Sequence, residues 1–143
     1  QQGHTEIVRL LVGEFKAYVD KATNDGVTPL FMAAQNGHTE VVRLLVGEFK
    51  ADVDKARNDG FTPLFFAAQK GHTEVVRLLV GEGKADVDKA DDNGGTPLII
   101  AAMNDRIEVV RILVSKGAVR TIEVDGETAL NFAKSKEVKE LLS

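Results

Sequence analysis

The 143-residue chain contains no cysteine. That excludes a disulfide framework, thiolate metal sites and a thiol nucleophile. It agrees with a reducing compartment, and an intracellular, cytoplasmic location is the expectation. Serine is scarce too: only Ser115, Ser135 and Ser143 occur, none in a nucleophile-elbow context. The longest apolar run, around Pro97 to Met103, is far shorter than the roughly 20 apolar residues of a membrane-spanning helix. Residues 1–6 carry neither a basic n-region nor an apolar core, so they do not read as a signal peptide. No Asn-x-Ser/Thr acceptor occurs. An excess of positive charge is also missing. With 18 Lys+Arg against 22 Asp+Glu the net charge is −4, which argues against a nucleic-acid or anionic-membrane binder. The 43% apolar and 28% charged residues are those of a folded globular chain rather than a disordered one.

What is present is repetition. Gly-His-Thr-Glu begins at Gly3, Gly37 and Gly71, and Thr-Pro-Leu at Thr28, Thr62 and Thr96, each time 34 residues apart. Residues 1–34 and 35–68 agree at 28 of 34 positions, and 35–68 and 69–102 at 26 of 34, beyond any chance match. The fourth copy drifts: Asp105, Arg106 and Ile107 replace Gly, His and Thr before Glu108-Val109-Val110-Arg111 restores the pattern. The fifth starts at Gly126, 32 residues after Gly94, and is shortened. A 34-residue period identifies one supersecondary unit repeated along an axis.

One unit shows what each copy must build. Asn58-Asp59-Gly60 is a turn signal. Thr62 offers an N-cap hydroxyl, and Pro63 suits the first helical position, where its missing N–H costs nothing. Leu64 to Lys70 form a short helix, Ala67 and Ala68 allow a neighbour close, and Gly71 ends it as a left-handed cap. Thr73 is expected to cap the next helix, with Glu74 favourable in its first turn. Val75, Val76, Leu78, Leu79 and Val80 make that helix apolar around a solvent-facing Arg77. Ala85-Asp86-Val87-Asp88 then run extended to the next tip. Helices this short are marginal in isolation, so units must stack to bury their apolar faces.

At this point the residues resemble a known family. Asp59-Gly60-Phe61-Thr62-Pro63-Leu64-Phe65-Phe66-Ala67-Ala68-Gln69-Lys70-Gly71-His72-Thr73-Glu74-Val75-Val76-Arg77-Leu78-Leu79 is similar to the ankyrin-repeat signature. The resemblance covers essentially the whole chain. It implies an all-α repeat solenoid of stacked repeats, each a β-hairpin tip plus an antiparallel helix pair. The copies divide the single array 1–143 into a partial first repeat (1–22), then 23–56, 57–90, 91–122 and a shortened capping repeat, 123–143. Three departures from the family pattern matter. Phe31, Phe65, Ile99 and Asn131 stand where the family has the His of Thr-Pro-Leu-His, and the aromatic and Ile residues there suggest apolar contacts between repeats. The connector Gly47-Glu48-Phe49-Lys50-Ala51 is one residue longer than usual and should bulge after the second helix. The array also opens in mid-unit.

The resemblance implies a non-catalytic protein-binding module with no cofactor. Partners would dock on the concave face of tips and first helices. Carried over, the tip positions are Asn24, Asp25 and Val27; Asn58, Asp59 and Phe61; Asp92, Asn93 and Gly95; Asp125 and Glu127. The first-helix positions are Gln35 and Asn36, Gln69 and Lys70, and Met103 and Asn104. Phe61 reads either as an exposed aromatic anchor or as a ring folded back onto Phe65 or a neighbouring tip. Met32, Phe66 and Ile100 read as packing between the two helices. The acidic tips favour a basic or neutral protein partner. Copies vary at positions 23, 27 and 32 and their equivalents, which fits a constant scaffold with adjustable positions. Tandem duplication or consensus engineering would leave the same near-identity.

Other constellations carry less chemistry. His4, His38 and His72 fall one per unit, on neighbours about 10 Å apart, too far to share one zinc ion. Asp86 to Gly94 is acid-rich, but Ala90 and Asp91 break the EF-hand pattern, so turn solvation is the expectation and no metal is expected. Neither a dinucleotide fingerprint nor a P-loop is present, and Gly94-Gly95 reads as a loose tip. The charge-rich segment 133–142 reads as a capping end. Ile7, Val8, Leu10, Leu11 and Val12 make an apolar second helix lacking a first. That open face implies upstream repeats or a covering chain, and self-association through Ile7, Leu10 and Leu11 is the rival to partner binding.

Overall fold

The computed structural model describes residues 19–143. The expectations placed on His4 and on Ile7, Val8, Leu10, Leu11 and Val12 lie outside the described residues. Among the described residues four helix pairs follow one another: α1 (Pro29–Gln35) and α2 (Thr39–Gly47), α3 (Pro63–Lys70) and α4 (Thr73–Val80), α5 (Pro97–Met103) and α6 (Ile107–Ser115), α7 (Ala129–Phe132) and α8 (Lys136–Leu142).

The first helices start as their sequence dictates. Thr28, Thr62 and Thr96 accept from the backbone N–H of Phe31, Phe65 and Ile99 at 3.1, 3.1 and 3.2 Å, with proline opening each helix. Each hydroxyl satisfies one of the orphan donors that a helix start leaves. In the last copy Asn131 takes over: its Oδ1 accepts from the Thr128 backbone N–H at 2.8 Å and the Thr128 hydroxyl at 2.9 Å. Gly71 closes α3 at φ 72°, the left-handed cap expected of it.

The second helices start differently from expectation. Thr73 does not cap α4; it is the first helical residue, and its hydroxyl donates to the Gly71 carbonyl at 3.4 Å. The N-cap position belongs to His72, whose ring reaches back one repeat. His72 Nε2 lies 3.1 Å from the Gln35 carbonyl, a bond that requires the Nε2–H tautomer. In the divergent copy Arg106 Nε donates to the Gln69 carbonyl at 2.9 Å. His and Arg therefore close the same inter-repeat bond.

Stacking builds two layers. α1, α3, α5 and α7 pack in sequence as one, and α2, α4, α6 and α8 as the other. Between them runs a continuous core in which Leu30, Ala33, Ala34, Val42 and Leu45 recur as Leu64, Ala67, Ala68, Val76 and Leu79, then as Leu98, Ala101, Ala102, Val110 and Leu113. Alanine pairs bring the first helices close, and each buried leucine contributes on the order of 1.5–3 kcal/mol relative to exposure. Of the positions that replace the family His, Phe31, Phe65 and Ile99 are apolar and buried, whereas Asn131 is exposed and bonds to Thr128.

The tips are hydrogen-bonded turns; among the described residues the β-pairing is confined to a single bridge, Val124–Glu127. Thr23, Arg57 and Asp91 each donate a backbone N–H to the carbonyl of Val27, Phe61 and Gly95, at 2.9, 2.8 and 2.9 Å. Adjacent tips are also joined: Asn58 N–H donates to the Asp25 carbonyl at 2.8 Å and Asp92 N–H to that of Asp59 at 3.2 Å. Gly60 is needed twice over. Its φ is 88°, and a Cβ there would meet Asp92 Oδ1 at 2.5 Å and the Asp92 backbone nitrogen at 2.7 Å.

The long connector holds its extra residue after the second helix. Ala51 and Ala85 N–H close onto the Leu45 and Leu79 carbonyls, six residues back, with Lys50 and Lys84 left-handed at φ 52° and 54°. The shorter fourth copy closes Ala118 onto Leu113, five residues back, through Gly117. Beyond it, aspartates tie repeats together. Asp20, Asp54 and Asp88 carboxylates accept the backbone N–H of Asp52, Asp86 and Val119 at 2.8, 3.0 and 2.9 Å.

Candidate functional site

The residues expected on the tips and first helices are placed as follows. Asn24, Asp25, Asn58, Asp59, Asp92, Asn93, Asp125 and Glu127 are exposed on the tips, while Val27 and Phe61 are half-buried. On the first helices Asn36, Lys70, Met103 and Asn104 are exposed. Asn36 and Asn104 Nδ2 donate to the Met32 and Ile100 carbonyls at 2.9 and 2.8 Å, capping α1 and α5. Gln35 and Gln69 are half-buried, and their backbone carbonyls serve the inter-repeat bonds to His72 and Arg106.

Of the three residues assigned to packing between the helices, Met32 needs correction, whereas Ile100 packs against the core and Phe66 against the rings of Phe31 and Phe65. Met32 is 47% exposed, and its equivalents Phe66 and Ile100 are partly buried. The cause is helical period: Leu30, Phe31, Ala33 and Ala34 take up the buried arc of α1, which turns position 32 outward. Met32, Phe66, Ile100 and Phe132 occupy equivalent positions in successive first helices.

Phe61 is folded back. Its ring lies 4.7 Å from that of Phe65 and 5.1 Å from that of Phe66, and Phe66 makes an edge contact at 5.6 Å with Phe31 of the preceding repeat. Arg57, which sequence reasoning did not single out, sits over this cluster. Its Cζ is 5.5, 5.2 and 5.3 Å from the Phe31, Phe61 and Phe66 ring centroids. Its Nε and Nη2 donate to Asp59 Oδ1 and Oδ2 at 3.0 and 2.7 Å. The fork holds the Asp59 carboxyl below the usual carboxylate range and raises the Arg57 guanidinium further. Beside the pair, Asp25, Val27, Arg57, Asn58 and Asp59 line an open depression of ≈ 300 Å³.

The variable position 23 was the legible signal for Arg57. Its equivalents do different work in each tip. Thr23 Oγ1 accepts from Val27 N–H at 3.1 Å, and Asp91 Oδ1 accepts from Gly95 N–H at 2.9 Å. Arginine has no acceptor, so the second tip is braced by the Arg57–Asp59 fork instead. The acid-rich segment 86–94 is also accounted for by backbone bonding: Asp86 Oδ1 accepts from Asp88 N–H, Asp88 Oδ1 from Val119 N–H, and Asp91 Oδ1 from Asn93 and Gly95 N–H. Among the described residues no group of three or more His, Asp or Glu side chains is placed to hold a metal ion, and no helix is long and apolar enough to cross a membrane.

A family model described as ankyrin repeats matches the chain in three copies, over residues 1–91 and 79–143. No curated protein matches it.

Proposed function

The chain belongs to the ankyrin-repeat family, whose members are generally protein-interaction modules and typically non-catalytic, and from that premise we propose that it binds a protein partner on the face formed by its tips and first helices. One observation supports this reading: the equivalent first-helix positions Met32, Phe66, Ile100 and Phe132 are apolar and exposed or only partly buried, while the tips carry the exposed carboxylates Asp25, Asp59, Asp92 and Asp125. Apolar first-helix positions together with acidic tips suit a neutral or basic segment that offers apolar side chains. The polar contacts come from Asn24, Asn58 and Asn93 on the tips and from Asn36, Gln69, Lys70 and Asn104 on the first helices. Val27, Phe61 and Met103 extend the apolar part.

Replacing Val27 and Phe61 with serine tests the assignment against a partner captured with the full-length protein. The expected result is a loss of at least about tenfold in affinity, since aromatic centres dominate such interfaces. An unchanged affinity, with the variant still folded by circular dichroism, would remove the binding site from this face.

A further inference from the structure

We propose that the aromatic cluster around Arg57 is a cation-recognition cage, closed by the chain's own arginine and opened when an arginine side chain of a partner takes its place. The chemistry of the cage is shown by its occupant. Three ring centroids lie within 5.5 Å of one guanidinium carbon, and one carboxylate binds the same group through two nitrogens. Ring faces and a carboxylate both favour a cation, and the fork geometry favours a guanidinium over an ammonium.

Comparison of the copies shows that the scaffold does not require this cluster. Residues 23–56 and 57–90 differ at only five pairs of positions: 23/57, 27/61, 32/66, 36/70 and 49/83. Three of the five supply Arg57, Phe61 and Phe66, and these three residues touch one another. The preceding copy forms the same tip and helix pair with Thr23, Val27 and Met32 in their place. Three of the five differences therefore fall on one composite feature of the face; the other two exchange the C-cap Asn36 for Lys70 and the core-packed Phe49 for Gly83.

Exchange of one arginine for another is feasible at this place. Arg57 lines the ≈ 300 Å³ depression together with Asp25, an exposed carboxylate of the neighbouring tip. A displaced Arg57 turns into that space and pairs with Asp25, while the incoming guanidinium takes Asp59 and the rings. No charge is left unpaired, and the closing contact to be broken spans only two residues of chain.

This inference rests on the concave-face reading for where a partner lies, but its test needs no partner, so the two fail separately. Arg57→Thr places at 57 the residue that position 23 carries. Wild type, R57T and R57T/D59N are titrated with an acetylated, amidated Gly-Gly-Arg-Gly-Gly peptide and with the same peptide carrying citrulline, a neutral isostere. Phenylalanine ring proton shifts are read by NMR. The arginine peptide should bind R57T at least tenfold more tightly than wild type and at least tenfold more tightly than the citrulline peptide does. In R57T/D59N that gain should vanish. Equal affinity of R57T and wild type, or of the two peptides, overturns the cage. Arg57→Gln is measured in parallel, so that poor folding of one variant does not end the test. Unfolding of both would make Arg57 a structural residue and would also overturn it.

Discussion

Arg57 and Asp59 show how much a single residue pair can decide on this surface. The guanidinium binds the carboxylate through two nitrogens and lies over three rings. Because the folded-state pKa of Asp59 is depressed below the ordinary 3.8, the pair's stabilisation is present above that value and is lost as the pH falls through the folded pKa. The side chains are 28% and 47% exposed, so solvent screening limits the contribution to about 1 kcal/mol or less. Asp59→Asn should therefore lower stability slightly at pH 7, and the gap to wild type should close as the pH falls through the depressed pKa of Asp59. Urea melts at a series of pH values measure this, and a gap that persists in acid would mean that the carboxylate acts by packing rather than by charge. The variability of position 23 pointed to Arg57, but the sequence did not show that it pairs with Asp59. Arg57 and Asp59 are two residues apart on a turn, and only the ring cluster below gives the guanidinium a fixed seat.

At the scale of elements, most of the molecule was legible. Thr-Pro-Leu placed three helix starts because a hydroxyl cap followed by proline satisfies the local backbone without help from elsewhere. Gly71 marked a helix end for the same reason. The start of the second helix is not legible locally because its capping group is not local: Thr73 looks like a cap, but His72 holds the junction by reaching the Gln35 carbonyl in another repeat. Arg106 at the equivalent place makes the equivalent bond, which explains how the fourth copy tolerates the loss of its histidine. His72→Arg should accordingly be nearly neutral, whereas His72→Ala should cost about 0.5–1.5 kcal/mol, the usual net worth of one hydrogen bond. Denaturation midpoints of the two variants distinguish these, and equal losses would show that the inter-repeat bond contributes nothing. The connector aspartates carry the same lesson. Read alone, residues 86–94 look like a solvated acidic loop, yet Asp88 ties this repeat to Val119 of the next.

The whole molecule is a row of nearest-neighbour contacts, and its stability should be close to a sum of unit and interface terms. Leu79 is fully buried in α4, which packs against α2 on one side and α6 on the other. Leu79→Ala should cost about 2–5 kcal/mol as a truncation that leaves a cavity. Leu142 is also buried, and among the described residues α8 packs chiefly against α6 and α7. Leu142→Ala should cost less, as judged by urea unfolding, and a cost equal to that of Leu79→Ala would argue against independent repeat interfaces.

The sequence by itself determined the repeat length, the turn–helix–helix unit, the caps of the first helices and the need for stacking. These follow from period, local hydrogen-bonding chemistry and the inability of short helices to bury their own apolar faces. It also marked positions 23, 27 and 32 as the variable ones. Only the tertiary structure decided what those positions do. It turned Met32 out of the core, folded Phe61 onto Phe65 and Phe66, and seated Arg57 above rings from two different repeats. The reason is distance: a cap or a period is settled within a few residues, but the Arg57 site draws Phe31 from one repeat and Phe61 and Phe66 from the next, and stacking alone brings them within 6 Å of one another or of the guanidinium.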